Sequence, residues 1–539
     1  MNWQTLISPN LRRKRFLKSL LIFSLLLLSG ASIVWACSFE DETDASVFTP
    51  EYFVNKHYSP FFYDSYNRFY AASDTSQETN NNSRYVALVS NEWKAFLGKQ
   101  LTTSEIDFLL FTASIKQADS VKKIVAAKLD GHGKTFFNYL PLMKDCETFS
   151  INNADTWYAE TNRKKVPANL EKRITNALNA YQDKFIRERL WFQLVRYHYF
   201  QDTTGKKVKP AFYRYEKEFP HNLTYYRTLG YLAGAEYEQK DYAHANYHYS
   251  LCYNYTWQMY IPSEWSFHPQ EEADWKQTLK LAKTTDEKIT LWHLLGIAED
   301  AGRAIKEIVQ LNPKSEKLDL LLSRVVNIAE GTSLTPSVDD SALNYNTSFA
   351  FKNDAATARH VDSLNNAAYA QAYQKAYANA LKVSLARDKD LQMVDSVAAT
   401  KSIRKPYFWH LASGYMHYLH HDYQAARKFY SAAKKELPPG NKELAAQYKL
   451  LDILLTVKTI KKIDAETEAR LVEPLNWLAD LRDDKIKVAN FRFASALLTV
   501  TNTIGGMYFN QHNVTKGAFF KEAPPVYADS PAIDKIVKL

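Results

Sequence analysis

Two distant stretches of this sequence carry one pattern: Asp241-Tyr242-x-x-Ala245-x-x-x-Tyr249-Ser250 and Asp422-Tyr423-x-x-Ala426-x-x-x-Tyr430-Ser431. The steps of three and four residues between these positions are helical. Each stretch follows another helical run, Tyr225 to Lys240 and Phe408 to His421, with small residues at its middle: Ala233 with Gly234, and Gly414. Such a pair reads as two helices packed closely through their small residues, which constrains the chain to helix-on-helix architecture. The glycine content agrees. Fifteen glycines in 539 residues fall well below the usual ~7% and argue against dinucleotide-binding sheets, propellers and multi-strand barrels. No run of two-residue alternation is bounded by Asn-Gly or Asp-Gly turns. The expected fold class is therefore all-α.

Further helices are signalled elsewhere. Ser315 after Pro313 precedes Leu318, Leu321, Leu322, Val325 and Ala329 at helical spacing, with Gly331 placed to terminate. Thr102-x-x-Glu105 and Thr284-x-x-Glu287 are capping-box patterns. Tyr369, Tyr373 and Tyr377 form an i, i+4 row among alanines. Degenerate helix pairs are expected at Leu190 to Phe200 with Ala211 to Phe219, and at Ile289 to Glu299 with Ala304 to Leu311, and two more helices within 442–483. The matched pairs resemble the tetratricopeptide repeat (TPR), a unit of about 34 residues in two antiparallel helices. In the copy starting at Tyr407, Gly414, Ala426 and Ala433 take the small positions, Tyr430 the large aromatic one and Pro438 the terminal proline. The copy starting at Tyr226 fits with Ala233, Ala245, Tyr249 and Cys252 but lacks the proline. The resemblance implies TPR-like hairpins stacked into a right-handed α-superhelix, an α-solenoid.

Residues 1–36 read as an export signal. Arg12, Arg13, Lys14, Arg15 and Lys18 precede an uncharged run from Leu20 to Ala36. This run is about 25 Å long as a helix, short of the ~30 Å hydrocarbon core. Val34-Trp35-Ala36-Cys37 resembles a bacterial lipobox, in which Cys37 would be diacylated and become the new N-terminus; Trp35 departs from that pattern. Val34 and Ala36 also suit ordinary signal peptidase, which would cut at the same bond, and an uncleaved anchor is the third reading. The acidic stretch from Ser38 to Asp44 resembles the tether of some surface-exposed lipoproteins and reads equally as a solvated leader. The formal charge of +9 drops to +4 without the signal, since 63 basic and 59 acidic residues remain. That is too weak a balance to suggest nucleic acid. The expected order is a signal peptide (1–36), an anchor tether and extended lead-in (37–84), an N-terminal helical-repeat half (85–331), a linker (332–354), a TPR-like C-terminal half (355–500) and a tail (501–539).

Several constellations invite chemistry. His410, His417 and His421 fall on one stripe of a regular helix, because 7 and 11 residues advance ~700° and ~1,100°. His420 is adjacent. Imidazoles one turn apart can bind zinc, but no His-Glu-x-x-His exists, and lining or packing a groove is the plainer reading; no metal or other cofactor is expected. Gly131-His132-Gly133-Lys134 lacks phosphate-loop spacing and reads as a turn between helices. Cys146 and Cys252 read as buried small apolar residues, with a disulfide the other option. The aromatic run Tyr253, Tyr255, Trp257, Tyr260, Trp265 and Phe267 crosses an expected loop at Ile261-Pro262-Ser263. It reads either as a core plug or as an exposed surface that stacks on sugars or clamps peptides through Trp257, Tyr260 and Trp265.

Taken whole, the chain resembles uncharacterised exported helical-repeat lipoproteins of Gram-negative bacteria. The resemblance rests on Cys37, on Thr49-Pro50-Glu51-Tyr52-Phe53, on Leu229 to Ala235 and on Leu291-Trp292-His293-Leu294-Leu295-Gly296 with Asn312-Pro313. It implies an envelope location, at the outer membrane or cell surface through a lipid anchor, or in the periplasm or secreted if Cys37 is unmodified. It implies no activity. The expected function is a non-catalytic scaffold that binds an envelope protein or peptide. The alternative is glycan capture, since length, lipobox and hairpins also resemble the SusD-like nutrient-binding lipoproteins, although their C-terminal Glu-Arg-Arg-rich helix is not found. An enzyme with a site at the histidine stripe is the third reading.

Overall fold

The computed structural model describes residues 46–63, 85–149, 166–202, 204–298, 300–331, 375, 378–400 and 402–522. Among the described residues the chain is helical, with short 3₁₀ turns and no strand. Polar side chains cap most of these helices. Thr102 and Glu105 form a complete capping box, and so do Ser114 and Gln117. Thr284 accepts the Glu287 amide at 3.1 Å, but the Glu287 carboxylate turns instead to the Lys283 amide and the Tyr247 hydroxyl. Asp130 accepts from the amides of His132 and Gly133, so Gly131–Lys134 opens the helix Gly131–Cys146 instead of forming a turn. The local reason is the cap, which supplies partners for the helix's first amides.

The two matched stretches are helical hairpins. The first pairs Leu223–Glu238 with Tyr242–Tyr255, and the second pairs Pro406–Leu419 with Tyr423–Glu436. Their turns are the same. Lys240 and His421 take φ of 63° and 64°. Their amides bond to the carbonyls of Tyr237 and Tyr418, and the following Asp241 and Asp422 amides reach Glu236 and His417, all at 2.9 Å. This left-handed residue reverses the chain while satisfying the last carbonyls of the helix. His512 repeats the device at φ 59°, joining Ala494–Asn510 to Val514–Glu522 in a third hairpin.

Close approach needs glycine in the second hairpin. A Cβ on Gly414 would lie 2.5 Å from the Tyr430 ring and 3.2 Å from the Ala426 carbonyl. Tyr430, Ala426 and Ala433 are buried at this crossing.

Two hydrophobic cores run through the molecule and meet at the first hairpin. Leu229, Leu232 and Cys252 belong to one, which extends back to Trp93. Ala233, Ala245 and Tyr249 belong to the other, which extends to Tyr508. Residues 289–329 and 391–508 share this second core, on either side of a stretch that includes the 332–354 linker, itself outside the described residues. Residues 46–63 also enter it: Val47, Phe48, Phe53, Val54, Tyr58, Phe61 and Phe62 are all buried there. Cys146 and Cys252 are both buried, and no disulfide joins them. Burial pushes the Cys146 thiol up to about 12, which keeps it protonated.

Candidate functional site

The aromatic run divides into buried and exposed members. Tyr253 and Phe267 are core residues. Tyr255, Trp257 and Trp265 stay 51%, 44% and 37% exposed. Tyr260 is half-buried, stacked between Tyr58 at 5.2 Å and Tyr253 at 4.4 Å. The expected loop at Ile261-Pro262-Ser263 is instead part of the helix Tyr260–Ser266. Pro262 sits in its first turn, where a missing amide hydrogen costs nothing. Tyr255 stacks on Tyr226 at 5.4 Å, and Trp257 lies 6.2 Å from the His57 ring.

A polar network adjoins the row. Lys317 Nζ donates to Asn254 Oδ1 at 2.9 Å and pairs with Asp286 at 3.2 Å. Asn254 Nδ2 donates to Asp286 at 2.7 Å, and the Thr290 hydroxyl donates to Asn254 Oδ1 at 2.8 Å. Behind it, His293 Nδ1 meets the Lys317 carbonyl at 3.0 Å, and Nε2 meets the Tyr253 hydroxyl at 2.8 Å. A carbonyl only accepts, so Nδ1 carries the proton and Nε2 accepts from the tyrosine. Burial and the Lys317 ammonium lower His293 to about 3, which holds it neutral. The exposed Tyr255 ring thus lies beside an amide and a carboxylate that an ammonium holds in place. That chemistry suits recognition of side chains or hydroxyls.

The histidines are engaged by carboxylates. His410 Nδ1 pairs with Glu436 at 2.7 Å. His417 Nε2 pairs with Asp395 at 3.1 Å, its Nδ1 lies 3.2 Å from Asp422, and its ring stacks on Phe429. His421 does not join this stripe. The helix ends at Leu419 and His421 is the left-handed turn residue, so the assumption of a regular helix fails there. Its ring stacks on Tyr423, and burial, then Lys458 and His420, lower its basicity. Among the described residues no group of three or more such side chains is placed to hold a metal ion.

One arrangement escaped sequence reasoning. Ser384 Oγ lies 2.9 Å from His420 Nδ1, and His420 Nε2 lies 2.8 Å from Asp388. The order is that of a serine–histidine–aspartate relay. Burial raises the Asp388 carboxyl, but bonds from His420 and nearby amides outweigh it, leaving the group below its ordinary range. The electrostatics oppose nucleophilic catalysis. Ser384 lies in the last turn of the helical stretch 378–387, whose terminal carbonyls disfavour an alkoxide. His420 acts here as a polar bridge between two helices. A serine and an aspartate one turn apart were the only local signal, and the histidine lies 36 residues from the serine.

Among the described residues no helix is long and apolar enough to cross a membrane. Cys37, the lipidation candidate, lies outside the described residues. Compared with protein-family models, curated proteins and solved structures, the chain matches none.

Proposed function

We propose that this chain is a non-catalytic, lipid-anchored envelope scaffold, built of TPR-like hairpins in an α-solenoid, that binds a protein or peptide partner. The observation that carries the reading is that Tyr255, Trp257 and Trp265 of one aromatic run stay exposed, with Tyr255 beside the network of Asn254, Asp286 and Lys317. Large rigid rings give contact area at low entropic cost, and flanking polar groups add orientation. The matched turns at Lys240 and His421 support the repeat architecture. The lipobox-like Val34-Trp35-Ala36-Cys37 supports the anchor.

Affinity capture from native envelopes is the test. The full chain is expected to retain a specific envelope protein, and Trp257→Ser with Trp265→Ser is expected to lose it. Recovery of nothing specific under several growth conditions contradicts the reading. Glycan binding is the second reading, favoured by the same exposed rings beside hydrogen-bonding groups. It predicts a glycan-array signal abolished by either tryptophan substitution.

A further inference from the structure

Residues 46–54 are gripped as a peptide ligand is gripped. The Gln447 side chain takes two backbone groups at once: its Oε1 accepts from the Thr49 amide at 2.9 Å, and its Nε2 donates to the Val47 carbonyl at 2.8 Å. Lys405 Nζ donates to the Phe53 carbonyl. The Arg492 amide donates to Thr49 Oγ1 at 3.3 Å, and its guanidinium pairs with Glu51 at 3.3 Å. Two anchors fill the floor: Phe53 stacks on Phe408 at 4.3 Å, and Phe48 lies 5.9 Å from both Phe408 and Tyr415. The segment's only regular local structure is the short 3₁₀ turn Pro50–Tyr52. Side chains reading backbone groups, with pockets for spaced anchors, are how a groove binds an extended peptide.

We propose that the cleft formed by Lys317–Gly331, Pro406–Leu419, Lys442–Thr459 and the Arg492 segment is a peptide-binding site, that residues 46–54 are its resident ligand, and that Glu330 makes their docking stronger in acid. Glu330 Oε1 accepts from the Val47 amide at 3.1 Å and from the Tyr415 hydroxyl at 3.0 Å. The groups facing it are Ser46 and Val47 from the strap formed by residues 46–54, Tyr415 from the second hairpin, and Arg492, which is itself paired with Glu51. Burial raises Glu330 to about 7, outweighing the bonds from Ser46, Tyr415 and Val47 and the charge of Arg492. An undocked strap returns the carboxyl to water and to its ordinary value near 4.5. The docked state therefore binds the proton more tightly. Docking is strongest below pH 4.5 and weakens as pH rises through 7. This inference stands on residues separate from the aromatic row and does not depend on the partner reading.

Amide exchange on the full chain tests it, with rates corrected for the intrinsic effect of pH. Protection of residues 47–54, relative to the helix Lys442–Thr459, is expected to fall about tenfold between pH 6 and 8. Glu330→Gln keeps the acceptor and should flatten that dependence. In trans, a synthetic peptide of residues 46–58 should bind saturably at pH 6 to the full chain carrying Phe48→Ala, and at least tenfold more weakly when Gln447→Ala is added. Strap protection that follows the helix at every pH overturns the proposal. So does a pH dependence that survives Glu330→Gln, or the absence of saturable peptide binding to a Phe48→Ala chain that remains helical by circular dichroism.

Discussion

The first and second hairpins share a turn and a sequence pattern, yet they serve different surroundings. The second seats the strap: Phe408 and Tyr415 on its first helix form the floor under Phe48 and Phe53. The first joins the two cores and leads into the aromatic row, where Tyr255 and Trp257 remain exposed. The Schellman-type turns at Lys240 and His421 are interchangeable because they satisfy only local carbonyls. What lies on the helix faces is set by neighbours far away in sequence. A helical hairpin therefore specifies its own closure, while its role depends on what docks against it.

Substitutions break this comparison at different strengths. Phe53→Ala should destabilise by about 4 kcal/mol in urea unfolding, since it empties a buried aromatic site. Trp257→Ala in the first region should cost less, about 1 kcal/mol, because its side chain is 44% exposed. Equal losses would erase the distinction between a filled cleft and an open surface.

The crossings offer a second contrast. Gly414→Ala drives a Cβ into the enclosed Tyr430 ring and should cost about 2 kcal/mol. Gly234→Ala meets Tyr199, which is only half-buried and can swing aside. Its cost should be about 1 kcal/mol or less by thermal unfolding. The reverse order would show that the Gly414 crossing yields more readily than the contact of Gly234 with the neighbouring helix.

Acid should move the two regions in opposite directions. His293 is held near 3 against an ordinary 6.5, so the unfolded chain takes up a proton that the native site refuses. Stability from this group is present above pH 6.5 and is lost as pH falls, by about 2 kcal/mol at pH 5. Glu330 has the opposite sign, contributing most below pH 4.5 and less as pH rises through 7. Exchange measured from pH 5 to 8 should show the helix carrying His293 tightening while residues 47–54 loosen. The smallest expected effect is none at all: a fluorophosphonate probe should leave Ser384 unmodified, and labelling lost in Ser384→Ala would establish a reactive serine.

The hairpins were legible because their signals are local. Small residues at crossings, Asp422 before a helix and Gly414 against Tyr430 are readable within one hairpin. The strap was not. Thr49 meets Gln447 across 398 residues, and a Thr-Pro-Glu-Tyr-Phe run carries no sign of its distant partner. The histidine stripe failed for another reason, since helical periodicity does not announce where a helix stops, and His421 lies beyond that point. Exposed Trp257 and buried Phe267 share one aromatic run, and their separation depends on the helix Tyr260–Ser266 that Pro262 had masked.

The central claim is that the aromatic row is the surface that meets a partner. A photo-crosslinking amino acid placed at position 257, at 265 and, as a control, at the 81% exposed Ile124 tests it in living cells. The account predicts the same discrete protein adduct from 257 and 265 and none from 124. No adduct at the row, or the same adducts from all three positions, would contradict it.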